Sequence, residues 1–315
     1  MMIPPDDPRL MPIQLRRELI QSGYDDAALI RAVRANQLTR PRRGAYVNAD
    51  GFAALSPMGQ HAVRARAAVK QANTDVVISH SSAMSLYPDP PDWGLDLTDV
   101  HLTRRDGKTG RHEAGIRQHR GKVIDADVIT ICDVEVMTPT RALLELTTIA
   151  TVEVGLVHAN HLLHTGLVTK TELYERYRSM DHWPETLATD LVLRLADPRI
   201  ESVGESRTWH AIYRQCLPMP IPQAAVVDSS GRLLARLDFA WPQYGVWLEF
   251  DGRVKYEKLL RDGESATDVV LREKKRQEMI EDLTGWRCIR VTWDDLRDPR
   301  RLAAKIRAAF ASRAA

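Results

Sequence analysis

A chain of 315 residues is longer than one compact domain usually runs, so two or three domains are expected. With 44% hydrophobic and 27% charged residues it holds apolar material for real cores, which excludes a disordered or low-complexity chain. A formal net charge of +2 neither demands nor excludes nucleic acid, so the distribution of charge must carry that argument. Cys132, Cys216 and Cys288 lie far apart with no C-x-x-C pair, which predicts three reduced, mostly buried thiols. The N-terminus has no basic segment followed by an apolar one, and no apolar run is long enough to span a bilayer. A cytoplasmic protein with no membrane association is expected; the sequence sets no oligomeric state.

Residues 1–55 open with a short helix expected over Ile13 to Gln21, broken at Gly23. Asp25 and Asp26 stand where an N-cap and first-turn acid belong, ahead of a second helix over Ala27 to Ala35. Leu29, Ile30 and Val33 read as its apolar face. Two strands around a basic turn come next, from Leu38 to Val47. Helix, turn, helix and hairpin is the element order of a winged helix. Arg31, Arg34, Arg40, Arg42 and Arg43 carry its charge with no acid between the first and the last. Such arginines either face a DNA backbone or are ordinary solvated side chains.

Residues 56–197 read as mixed α/β at first and helical later. A helix over Pro57 to Gln71 is expected to be strongly basic on its exposed side. Val76 to Ile78 is a short buried strand, and Ser79 to Ser82 opens a helix. Short strands are expected near Asp99 to Thr103, Ile116 to Gln118, Val128 to Ile131 and Val134 to Met137. Helices are expected over Pro139 to Thr147, Val152 to His164, Lys170 to Ser179 and Pro184 to Leu195. His158, His161 and His164 form a loose stripe, at a spacing unlike that of paired metal ligands on a helix, and read as partly exposed side chains. His80 reads as a neighbour of a helix cap.

Residues 198–315 begin with a helix over Ser202 to Cys216, ended by Pro218, Pro220 and Pro222 in an extended connector. Strands are expected over Ala224 to Asp228, Leu233 to Ala240 and Val246 to Phe250, then a charged helix over Asp268 to Leu283, a strand over Trp286 to Thr292 and a basic closing helix. Trp209, Trp247 and Trp286 read as core. The two strands flanking Pro242-Gln243-Tyr244-Gly245 pair as a hairpin. Alternation points Glu249 and Asp251 to one side, where Asp238 on the neighbouring strand can join them. Glu201 and Glu205 lie one turn apart on the preceding helix. Carboxylates gathered in this way repel one another unless a hard divalent cation lies between them, and the chemistry would then be metal-activated water attacking a phosphodiester. The other reading is a solvated hairpin whose acids face water.

From Glu205 to Leu296 the chain resembles the PD-(D/E)xK nuclease superfamily, and within it the domains related to very-short-patch-repair endonucleases. The residues carrying the likeness are Glu205, Leu237-Asp238-Phe239, Leu248-Glu249-Phe250-Asp251-Gly252, Arg272-Glu273-Lys274-Lys275-Arg276 and Gly285-Trp286-Arg287-Cys288-Ile289-Arg290-Val291-Thr292-Trp293-Asp294-Asp295-Leu296. The resemblance implies a restriction-endonuclease-like α/β domain. It implies Mg²⁺ or Mn²⁺ held by Asp238, Glu249 and the backbone carbonyl of Phe250, with Glu205 supporting the metal or its water. The superfamily pattern has Lys where this chain has Asp251, although the likened domains commonly carry Asp at this place; Lys255, Lys274 or Lys275 are the candidates to reach in instead.

The first region resembles the winged-helix domain of AbiEi-like antitoxins of type IV toxin–antitoxin systems. The likeness rests on Ala28-Leu29-Ile30-Arg31-Ala32-Val33 and Leu38 to Val47, and continues through Val77-Ile78-Ser79-His80-Ser81-Ser82-Ala83. It implies DNA binding, operon self-repression and a toxin partner. Together the two likenesses set three domains: a winged-helix DNA-binding domain over 1–55, an AbiEi-like middle region over 56–197 and a nuclease-like domain over 198–315. They also set two main functions, beside a third, a protein-interaction module that neutralises a toxin partner through the middle region. One is a metal-dependent endonuclease acting on double-stranded DNA. The other is a DNA-binding regulator or antitoxin whose nuclease-like domain is catalytically inactive.

Overall fold

Capping residues and apolar alternation set most element boundaries, and the computed structural model describes residues 3–180, 183–228, 230–252 and 266–314. The chain is a multi-domain α/β protein with two units, Met1–Arg194 and Leu195–Ala315.

The first unit opens with β1 (Gln14–Leu15), α1 (Arg16–Gln21), α2 (Asp26–Arg34), β2 (Leu38–Arg42), β3 (Ala45–Asn48) and α3 (Ala49–Ala53). Its small sheet has the order β1-β3-β2. The helix expected from Ile13 is shorter, because Gln14 and Leu15 pair with Tyr46 and Ala45 as a strand instead. Asp25 caps α2, its carboxylate accepting from the Ala28 amide at 2.6 Å. Leu29 and Val33 pack with Leu19, Leu38 and Tyr46. Ile30 does not join them: it is rotated off that face and exposed.

α4 (Pro57–Gln71) lends Val63 and Ala67 to the same cluster as Ile13, Leu15, Ala45 and Val47. The first fifty-odd residues therefore share a core with this helix. α4 is less basic outside than expected, since Arg66 is buried, with its guanidinium on the carbonyls of Arg9 and Met11 and on Asp133. Next come β4 (Val76–Ile78), α5 (His80–Met84), β5 (Val100–Arg104), β6 (His112–Glu113), β7 (Ile116–Arg120), β8 (Val128–Ile131) and β9 (Val134–Met137). They form a six-stranded mixed sheet ordered β6-β7-β5-β4-β9-β8. α6 (Pro139–Thr147), α7 (Val152–His164), α8 (Lys170–Arg178) and α9 (Leu187–Leu195) complete the helical part.

The second unit has α10 (Val203–Arg214), β10 (Ile221–Val227), β11 (Leu233–Trp241), β12 (Val246–Asp251), α11 (Ala266–Thr284), β13 (Arg287–Thr292), α12 (Trp293–Arg297) and α13 (Pro299–Ala314). Its sheet runs β10-β11-β12-β13. Pro222 lies inside β10 and not in the connector, which an outermost strand allows. β12 and β13 are parallel, so the chain must cross over between them, and α11 lies on that crossover. Ile280 of α11 packs in the cluster that holds Ala240 and Trp247. On the other side Trp209 of α10 stacks on Phe239 with ring centroids 5.9 Å apart. Trp209 and Trp247 are buried and Trp286 packs against the core, as expected. The thiols differ from expectation: Cys132 and Cys216 are exposed and only Cys288 is half-buried. Cys132 and Cys216 both take positive φ, the backbone of surface turns.

Candidate functional site

In the second unit Phe239 pairs with Leu248, which sets Asp238 opposite Glu249 on the facing strand and on the same face of the sheet. Asp251 lies on that face two residues on. The Asp238 carboxylate accepts the Phe250 amide at 2.8 Å. In a strand a residue's N–H and C=O point to the same edge, so the Phe250 carbonyl also faces β11, beyond the last paired residue Phe239. Asp238 and the Phe250 backbone are thus in contact, with Glu249 on the facing strand.

Two of the other predicted site residues, Glu205 and Lys274, have partners of their own. Glu205 lies on α10, which packs on the opposite face of the sheet. Its carboxylate accepts from the Glu201 amide at 3.1 Å, Ser202 Oγ at 2.7 Å and Gln223 Nε2 at 3.0 Å. Ser202 in turn accepts from the Glu205 amide, so Glu205 closes the helix N-terminus. Gly204 permits the close approach of that helix end to β12, since a Cβ there would lie 2.0 Å from the Phe250 ring. Lys274 is 72% exposed and faces Glu278 at 3.7 Å, so it points along the helix surface and not at the carboxylates. Lys275 is exposed as well. Lys255 lies outside the described residues.

The cation that does reach Glu249 was missed by sequence reasoning. Arg276 stands one helical turn before Ile280, on the face of α11 that meets the sheet. Its guanidinium donates to Glu249 at 2.5 Å and to the Arg236 carbonyl at 2.8 Å. The i, i+4 relation to an apolar residue of an otherwise charged helix was the available signal.

In the first unit Arg31, Arg34, Arg40 and Arg43 are exposed. Arg40 lies over the Tyr46 ring at 5.6 Å. Arg42 departs from the expected wing position: it is half-buried and donates to Gln71 Oε1 at 2.7 Å, and burial lowers its pKa. The turn itself is tied down, because Gln71 Nε2 donates to the Arg43 carbonyl at 2.8 Å. Arg42 instead lines a polar cleft with Gln71, Arg104, Lys108, Arg111 and Gln118.

A second concentration of chemistry lies deeper in this unit. His80, His101 and His119 come together from α5, β5 and β7, and one ring nitrogen from each lies within 4.8 Å of the others. His101 Nδ1 and His119 Nε2 are 2.8 Å apart, and the His80 and His119 rings stack at 3.8 Å. His80 Nδ1 contacts Ser79 Oγ at 2.9 Å and lies 3.6 Å from Glu145. Burial pushes His101 and His119 down to about 4 and His80 well below its usual value. Glu145 is held by Arg141 at 2.9 Å, Arg141 reaches Asp127 at 3.2 Å, and Arg176 clamps Asp127 with two bonds of 2.7 Å. Burial raises the Glu145 pKa, against the opposing pull of Arg141. His80 does sit next to a cap residue as expected, but its ring is buried in this cluster. The three histidines are far apart in sequence, and only the β7-β5-β4 order of the sheet unites them. The stripe on α7 behaves otherwise. His158 is fully buried on the Trp93 carbonyl at 3.2 Å, because α7 is covered on that side, while His164 is exposed.

No protein-family model matches the chain, and neither a curated protein nor a solved structure matches it significantly. Among the described residues no helix is long and apolar enough to cross a membrane.

Proposed function

We propose that the chain is a DNA-binding, divalent-metal-dependent endonuclease. The observation that carries this reading is the placement of Asp238 opposite Glu249, one step beyond the paired Phe239 and Leu248, with the Phe250 amide on Asp238 and its carbonyl turned to the same edge. This oxygen-only donor set fits Mg²⁺ or Mn²⁺. Asp238, Glu249 and the Phe250 carbonyl would hold the ion, which when bound supplies an activated water and neutralises charge on a phosphodiester. The Phe250 amide fixes the orientation of Asp238. Arg276 counters the charge of Glu249 in the absence of the usual lysine. The exposed Arg31, Arg34, Arg40 and Arg43, with the cleft that Arg42 enters, would grip double-stranded DNA through its phosphates. The likeness of this segment to a winged helix supports the same role, through its β1-α1-α2-β2-β3 order.

A second reading is favoured by one specific contact. Glu249 already has a cation in Arg276, and Asp251 stands where the motif has lysine. On this reading the chain is a transcriptional regulator or antitoxin, with an inactive nuclease-like domain and a toxin partner. Cleavage of supercoiled and linear plasmid with Mg²⁺, Mn²⁺ or EDTA separates the two. The nuclease reading expects cutting that needs metal and is lost in both Asp238→Ala and Glu249→Ala. Absence of cutting, with tight duplex binding retained, selects the regulator.

A further inference from the structure

We propose that His80, His101 and His119 form a transition-metal site in the first unit, with Zn²⁺ as its ion. The site is independent of the carboxylates of the second unit. Imidazole nitrogens select borderline cations such as Zn²⁺ over Mg²⁺, and three of them leave one position for water or another ligand. Register sets the donors: Thr103 pairs with His119 and His101 with Arg117 on parallel β5 and β7, so His101, Thr103 and His119 share one face. His80 enters from the start of α5, immediately after the neighbouring strand β4. Its φ of 52° is a left-handed backbone that residues with a side chain rarely adopt.

The surroundings are those of a metal site and exceed what three packed rings need. A metal-bound histidine normally gives its other ring nitrogen to a carboxylate or hydroxyl, which fixes its orientation. His80 Nδ1 contacts the Ser79 hydroxyl at 2.9 Å, with the Glu145 carboxylate 3.6 Å away, which would leave Nε2 for the ion. Glu145 is fixed by Arg141, and Arg141 by Asp127. Thr103 Oγ1 and Arg141 Nη2 are buried with no hydrogen-bond partner among the described residues, and both side chains border Gly121. Two such orphans beside the cluster suit a ligand or water at the open position. A metal lies in the plane of each imidazole it binds, so loading turns the half-buried His119 ring off its stack with His80.

The test uses the full chain, stripped with EDTA and titrated with Co²⁺ and then Zn²⁺. One equivalent of Co²⁺ should give visible d–d bands, and Zn²⁺ should displace it. Asp238→Ala must retain those bands, which separates this site from the proposed nuclease centre. His101→Asn and His119→Asn should lose them while far-UV circular dichroism stays that of a folded chain. Glu145→Gln, in which His80 itself is intact, should weaken Zn²⁺ binding by about 10–100-fold. A folded wild-type chain that gives no bands with Co²⁺ and takes up no Zn²⁺ overturns the proposal. Bands that persist unchanged in His101→Asn, or an unchanged affinity in a folded Glu145→Gln protein, do the same.

Discussion

In the first unit one network of charged groups is sealed. Arg141, Asp127 and Glu145 are each no more than 2% exposed and bind one another. In the second unit Asp238, Glu249 and Asp251 are half-buried on neighbouring strands, where Glu249 meets a guanidinium that is itself 33% exposed. A sealed network has no solvent to replace a lost partner, so its members are fixed in place by the fold. A half-buried carboxylate can exchange one cation for another.

The comparison breaks most sharply at Arg141. Arg141→Ala leaves Asp127 and Glu145 as buried acids with one cation fewer, and should destabilise the first unit by about 3–5 kcal/mol. Calorimetry should show the first unit's transition moving down and the second unit's transition unmoved. A single shared shift would mean that the units do not unfold separately.

Next in size is the response to acid. His61 is buried on Ser82 Oγ and the Leu97 carbonyl, and His158 on the Trp93 carbonyl. Burial lowers both to about 4 from 6.5. The unfolded chain takes up these protons near pH 6.5 and the folded unit only near 4. Their stabilisation is therefore complete above pH 6.5, falls as pH drops through that window, and levels off below it. The loss is on the order of 3 kcal/mol for each ring. Hydrogen exchange should show protection falling in peptides of the first unit between about pH 6.5 and 4.5, and falling less steeply in the His61→Asn and His158→Asn variants.

The smallest effect on stability should come from the exposed arginines. Ala at Arg31, Arg34 and Arg43 should change stability by no more than about 0.5 kcal/mol. Each substitution should nevertheless lower the salt dependence of DNA binding by about one unit of slope where it removes a phosphate contact. Arg42→Ala should act differently, because Arg42 holds Gln71. A slope unchanged in the triple variant would remove this surface from the DNA-binding reading.

The elements of the second unit were legible because their signals are local. Prolines after the first helix, alternating strands and a Gly after the long helix each act over a few residues, and alternation put Glu249 and Asp251 on one side, where Asp238 could join them. What the helices contribute was less legible. Glu205 is expected only as support for the metal or its water, and its bonds from Ser202 and Gln223 could not be read from the sequence. Arg276 is one of several cations on α11, and its role depends on the position of Ile280 against the sheet. The histidine cluster left no local signal, since its members sit on three elements brought together by sheet order. Arg66 was misread for the same reason: its partners at Arg9, Met11 and Asp133 are distant in sequence.

The cysteines have a practical consequence. Cys132 and Cys216 are exposed, one on each unit, whereas Cys288 is half-buried with its thiol pushed up to about 12. Thiolate attack depends on access and ionisation, so a maleimide dye should enter at the first two and spare the third. The natural chain thus carries its own donor and acceptor positions for fluorescence energy transfer, and the distance between its halves can be followed as DNA or metal is added without introducing a new residue.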